Sequence, residues 1–155
     1  MRIEKRFEIV SPIDRVWSVL VDPYQVVNCL PGASITQRVD DRTYEGTIMV
    51  RVGPVKATYK GQARFERLDE ATREMELVGR GQETSGKGSA EMRMVSRLRS
   101  VDEKTEVSVT SDVTITGVLA QFGRGMIEDV SNQMFDEFTQ RLREKIESVR
   151  IYKRT

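Results

Sequence analysis

A single change of rhythm constrains this chain more than any other feature. Between Tyr44 and Ile115 apolar and polar residues alternate, the period of strands with one face buried. After Gly117 the apolar residues fall three or four apart, at Leu119, Phe122, Met126, Ile127, Val130, Met134, Phe138, Leu142, Ile146 and Val149. That second pattern describes one amphipathic helix of roughly 30 residues, about 45 Å long at 1.5 Å per residue. An antiparallel meander with one solvated face needs a cover on the other, and a helix of this length can lie across the whole sheet. With 155 residues there is room for one core. The pattern therefore predicts a single α+β domain over residues 1–150, with a basic, frayed tail at 151–155.

The N-terminal part supplies the remaining elements. Ile3, Phe7 and Ile9 share one face of a strand against Arg2, Glu4, Arg6 and Glu8, and Lys5 interrupts the apolar side. Ser11-Pro12 reads as an N-cap followed by a proline at the first helical position, with Val16, Trp17, Val19 and Leu20 at helical spacing and an end near Asp22-Pro23. A second short helix or turn runs from Tyr24 to Gly32 and stops at the breaker cluster Leu30-Pro31-Gly32. Trp17 on the first of these helices reads as structural.

The inward parity of the strands carries the information about function. Tyr44, Gly46, Ile48, Val50 and Val52 share it, as do Ala57, Tyr59, Gly61, Ala63 and Phe65. Met75, Leu77, Gly79 and Gly81 continue it, followed by Ala90, Met92 and Met94, and then by Val107, Val109, Ser111, Val113 and Ile115. Many of these are too small to fill space, so the face can bend around an apolar void closed by Leu119, Phe122 and Met126. Each methionine taken alone reads as ordinary core filler, but methionines suit an adaptable cavity, and the row of small residues opposite moves the set toward one. Tyr59 and Ser111 are the inward polar candidates, able to donate to a ligand oxygen or simply to a neighbouring backbone group.

Composition closes several alternatives. With no histidine and one cysteine, the common zinc sites and Ser-His or Cys-His nucleophiles cannot be assembled, while carboxylate, lysine or tyrosine acid/base chemistry stays possible. Glu45, Lys56, Lys60, Glu66, Glu74, Glu76 and Glu91 fall on the outward parity, which favours a passive pocket. The 25 Lys+Arg nearly balance 24 Asp+Glu, so no global field recruits nucleic acid. MRIEKRFEIV lacks the apolar region of a signal peptide and no apolar run approaches the roughly 20 residues of a membrane span, which makes the cytoplasm the expected compartment. Cys29 has no histidine to activate it. The stretch GQETSGKG at 81–88 nearly matches the phosphate-loop pattern G-x-x-x-x-G-K-[S/T], but it leads from strand to strand and places Gly88 where a hydroxyl is required, so it reads as a glycine-rich hairpin.

The order of strand, two short helices, meander and long helix is that of the helix-grip fold of START-type and polyketide-cyclase-like proteins. FEIVSPIDRVWSVL at 7–20, CLPG at 29–32, VGPVKATYKG at 52–61, GKGSA at 86–90 and GVLAQFGRGMI at 117–127 together resemble the CoxG family, the G subunit of carbon monoxide dehydrogenase, over nearly the whole chain. The resemblance implies a non-catalytic protein that holds a quinone or other lipid in an apolar cavity and serves a CO-dehydrogenase-like molybdenum enzyme, by membrane recruitment or quinone delivery. It implies no resident cofactor, a gate at Leu30, Pro31 and Gly32, peripheral contact at most with the inner face of the membrane, and a monomer or weak homodimer. Many members continue into an apolar C-terminal segment, and this sequence ends at Thr155 without one, which shifts weight from anchoring to carriage. The alternatives are a cyclase-like enzyme and a ligand-free module that docks an enzyme.

Overall fold

A computed structural model describes the backbone of residues 1–154 and the side chains through Glu147. The elements are β1 (Arg2–Ile9), α1 (Ile13–Leu20), α2 (Pro23–Val27), β2 (Ala33–Arg38), β3 (Thr43–Val52), β4 (Val55–Asp69), β5 (Glu74–Glu83), β6 (Ser89–Val101), β7 (Lys104–Ile115), a 3-10 turn at Leu119–Phe122, and α3 (Gly123–Arg154). All the strands join one antiparallel sheet in the order β1-β7-β6-β5-β4-β3-β2. Helix α3 approaches this sheet most closely at β1 and at β3, which lie near its opposite ends. Both can reach one helix only if the sheet curls around it, so the expected helix-grip architecture is the one observed.

Glycines and bulges produce the curl. Gly46, Gly61 and Gly81 stand in register across β3, β4 and β5. A Cβ on Gly46 would run into the Ser34 carbonyl, and one on Gly61 into the Arg80 carbonyl and the Gly81 Cα, so the strands approach too closely there for any side chain. Bulges between Ile35 and Gln37 and between Phe65 and Arg67 add to the bend.

The apolar interior is divided. One cluster packs Phe7 and Ile9 of β1, Val16, Trp17, Val19 and Leu20 of α1, and Phe65, Met75, Leu98 and Val107 of the sheet against Leu142 and Ile146 of α3. A smaller one at the other end joins Val52, Ala57, Tyr59 and Leu119, with Ile48, Val50, Phe122 and Val130 against it. On the outer face the carboxylates and cations form ladders, including Arg67–Glu74 at 3.0 Å, Arg93–Glu76 at 3.0 Å and Arg99–Glu106 at 3.2 Å. These exposed pairs add little stability individually but account for the outward charges as surface.

Several local expectations are corrected. Ser11 does not cap α1. Pro12 occupies the cap position with extended geometry, and Ser11 is buried with its carbonyl accepting from the Thr105 hydroxyl at 2.8 Å. The α2 helix is only Pro23–Val27, capped by Asp22 through the Tyr24 N–H. Strand β2 has no counterpart in the sequence pattern. The stripe after Gly117 is not one helix from its start, because Gly123 at φ +82° separates the 3-10 turn from α3. At the other end the backbone of α3 runs to Arg154. Thr155 and the side chain of Val149 lie outside the described residues.

Candidate functional site

Between the two clusters the inward face of the sheet is incompletely covered. On β4, Ala57, Tyr59 and Phe65 are buried, whereas Gly61 and Ala63 between them are only half-buried. The same profile repeats on each neighbour. Met75 is buried and Leu77, Gly79 and Gly81 are not; Leu98 is buried and Ala90, Met92 and Met94 are not; Val107 is buried and Val109, Ser111, Val113 and Ile115 are not. Register brings these positions together in two rows, Ile3–Ser111–Met94–Leu77–Phe65 and Val113–Met92–Gly79–Ala63–Tyr44. Gly79 is where the face has room: a Cβ there would meet only the Met92 methyl at 3.8 Å and the Gln62 carbonyl oxygen at 3.9 Å.

The helix side is equally uneven. Ile127, Val130 and Met134 in the first half of α3 are half-buried, while Leu142 and Ile146 in the second half are fully buried. Leu119 and Phe122 of the 3-10 turn join Ile48 and Val50 in the small cluster. Met126 does not join them and is 44% exposed. Within α3, Met126 lies at the edge of the stripe that runs through Ile127, Val130 and Met134.

Polar groups on this face are few. Tyr59 is buried, its hydroxyl makes no hydrogen bond among the described residues, and burial followed by the Glu83 carboxylate hold its pKa above the ordinary tyrosine value, so it is a neutral donor. Glu83, which the sequence pattern does not single out, shares the inward parity opposite Tyr59. Its carboxylate accepts the Ser85 N–H at 2.9 Å and the Ser85 hydroxyl, which turns it into the hairpin. The turn 84–88 joins β5 to β6 with Gly86 at φ +81°, and a Cβ on Gly88 would meet the Thr116 carbonyl, so the glycines serve a tight hairpin and no phosphate loop exists.

Leu30, Pro31 and Gly32 sit beside the small-cluster end of β3. Gly32 has φ +83°, its carbonyl accepts the Met49 N–H at 3.0 Å, and a Cβ on it would press against the Met49 carbonyl. The turn is thus stapled to β3. By contrast, Gly123 and Gly125 have nothing within 4 Å of where a Cβ would stand. Cys29 is buried with its thiol donating to the Gln25 carbonyl at 3.6 Å, and burial raises its pKa against the opposing effect of Lys145 and Arg141.

No group of metal-ligating side chains occurs among the described residues, and no described helix is long and apolar enough to cross a membrane. A family model for CoxG, the G subunit of carbon monoxide dehydrogenase, matches residues 6–147. No curated protein matches the sequence. Among solved structures, a conserved protein from Geobacillus kaustophilus superposes with a TM-score of 0.86 at 21% identity, covering 96% of each chain. The Zhui aromatase/cyclase from Streptomyces sp. R1128 superposes at 0.70 with 17% identity, over 95% of this chain and 93% of that one. Ara h 8.0201 does so at 0.61 with 13% identity, over 96% and 98%. At these identities the likeness establishes the shared fold.

Proposed function

The chain belongs to the CoxG family, the G subunit of carbon monoxide dehydrogenase, and from that we propose that it is a non-catalytic carrier that holds a quinone or another lipid between the sheet and α3, for a CO-dehydrogenase-like molybdenum enzyme. The observation that supports this reading is the half-buried apolar middle of the sheet, flanked at both ends by packed clusters. A folded domain gains by covering such a surface. Burying about 300 Å² of a lipid tail there would contribute on the order of 7 kcal/mol before the costs of ordering it. Ile48, Val50, Ala63, Leu77, Met92, Met94, Val113, Leu119 and Phe122 would supply the apolar wall, with Tyr59 and Ser111 as donors to a ligand oxygen. Leu30, Pro31 and Gly32 would be the fixed lip of the entrance, and the segment from Gly117 to Gly125 the part that moves.

The cyclase-like alternative has one observation in its favour, the inward pairing of Tyr59 with Glu83. Against it, the Ser85 N–H and hydroxyl both bond the Glu83 Oε2, which draws the carboxylate into the hairpin and leaves only Oε1 as an acceptor. Native mass spectrometry of gently purified protein, with organic extraction, tests the carrier. A quinone or lipid near one per chain is expected. An empty protein that also takes up no menaquinone, ubiquinone or fatty acid on titration would leave enzyme docking as the reading.

A further inference from the structure

Lys5 is the one residue that breaks the apolar face of β1, and the fold gives it an unusual setting. It pairs in register with Val109, between Ile3 on the open side and Phe7 on the packed side, so it stands where the larger cluster ends and the half-buried rows begin. Its ammonium lies 5.9 Å from the centroid of the Phe135 ring, and no carboxylate comes within ion-pair distance of it among the described residues. In front of it, between β1 and α3, is a cleft of about 660 Å³.

The cleft wall on α3 is a ridge of residues four apart, Phe135, Thr139 and Arg143. Thr139 is 8% exposed and its hydroxyl oxygen is buried without a hydrogen-bond partner. Native proteins rarely leave such an atom unsatisfied. Arg143 donates from Nε to the Glu8 carbonyl at 3.0 Å, which holds the guanidinium beside the cleft. Arg6 also borders it but points outward towards Glu106 at 3.8 Å, and Asp136, Gln140 and Glu144 form the outer, exposed rim.

We infer that this cleft receives the anionic head of the ligand, so that the cargo is a single-chain amphiphile ending in a carboxylate or phosphate, with Lys5 and Arg143 facing the charge. The inference rests on the carrier reading above and narrows its ligand class. Ile3, the next inward residue along β1 from Lys5, begins the row Ile3–Ser111–Met94–Leu77 on the half-buried apolar face, the path a tail would take. Lys5 contributes a charge-assisted hydrogen bond to the bound head, with the Phe135 ring beneath it.

The test uses delipidated full-length protein titrated with hexadecanoate, hexadecyl phosphate and 1-hexadecanol, which share a tail and differ in the head. The two anions are expected to bind about tenfold or more tighter than the alcohol, the range of a hydrogen bond to a charged group. Lys5→Met should cut that preference at least severalfold without weakening the alcohol, and Lys5→Arg should keep it. Equal affinities in the wild type, or a preference undiminished by Lys5→Met, would overturn the assignment. Competition by inorganic phosphate as strong as by hexadecyl phosphate would overturn the amphiphile and leave a simple anion site. Binding of none of the three would instead refute the carrier reading on which the inference rests.

Discussion

Ala63→Trp separates a hollow interior from a filled one. Ala63 is half-buried in the middle of β4, with Tyr44 across one strand boundary and Gly79, which has no side chain, across the other. An indole presents about 150–250 Å² of surface. If the space over Ala63 holds ligand, the ring takes its place, and at about 25 cal/mol per Å² roughly 4–6 kcal/mol of ligand burial is lost, about a thousandfold or more in affinity. The fold should then be as stable as before, or more so, because the ring covers apolar wall. If the space is already filled, overpacking costs about 1–3 kcal/mol, which for a chain of this size lowers the melting midpoint by about 2–12 °C at roughly 2–4 °C per kcal/mol. Calorimetry and lipid titration on the same variant read both quantities. A lowered midpoint together with unchanged uptake would refute the hollow.

Other perturbations test the surrounding argument. Gly61→Ala forces a methyl into the Arg80 carbonyl and should cost about 1–3 kcal/mol of strain, whereas Gly79→Ala has room and should stay within about 1 kcal/mol of wild type in denaturant melts. Thr105→Val removes the buried donor to the Ser11 carbonyl and should cost about 1–3 kcal/mol by the same assay. Glu74 accepts from Arg67, and this hydrogen bond, aided by the charge of Arg97, holds its pKa below the ordinary 4.5. The folded state therefore favours the carboxylate, so its contribution is present above pH 4.5 and is lost as pH falls below it; Glu74→Gln should flatten the acid limb of a stability–pH profile in that range.

How far the sequence can be read depends on which force sets each element. The strands β3 to β7 and the body of α3 are dictated by burial on one face, and burial writes a period into the sequence that survives without an alignment. β2 escapes because Ala33 and Ile35 are its only inward apolar residues, and the bulge after Ile35 interrupts the alternation before it can be recognised. Ser11 misleads for a related reason: a serine before proline looks like a cap locally, but here the residue is consumed by a tertiary contact with Thr105. Within the candidate site, the inward parity of Tyr59, Ala63, Met92 and Ser111 follows from period alone. What Lys5 faces depends on which ridge of α3 comes alongside β1, and nothing in the residues near Lys5 encodes that. The break between the 3-10 turn and α3 rests on the positive φ of Gly123, a backbone choice rather than a pattern of side chains.

The division of the interior into two unequal clusters bears on how cargo can leave. Large cooperative units of a protein open only near the global unfolding free energy, whereas small peripheral ones open at much lower cost. The end built around Ile9, Val107 and Leu142 has the mass of a folding nucleus, and the end built around Ala57, Tyr59 and Leu119 does not. A tail spanning both would act as the mortar between them, adding contacts to those that the shared strands already provide. Loading would then slow the opening of the small end, and a partner that pried the small end apart would release the tail while the large end stayed intact. Delivery on those terms would need only the small end, with the Gly117–Gly125 segment beside it, to yield.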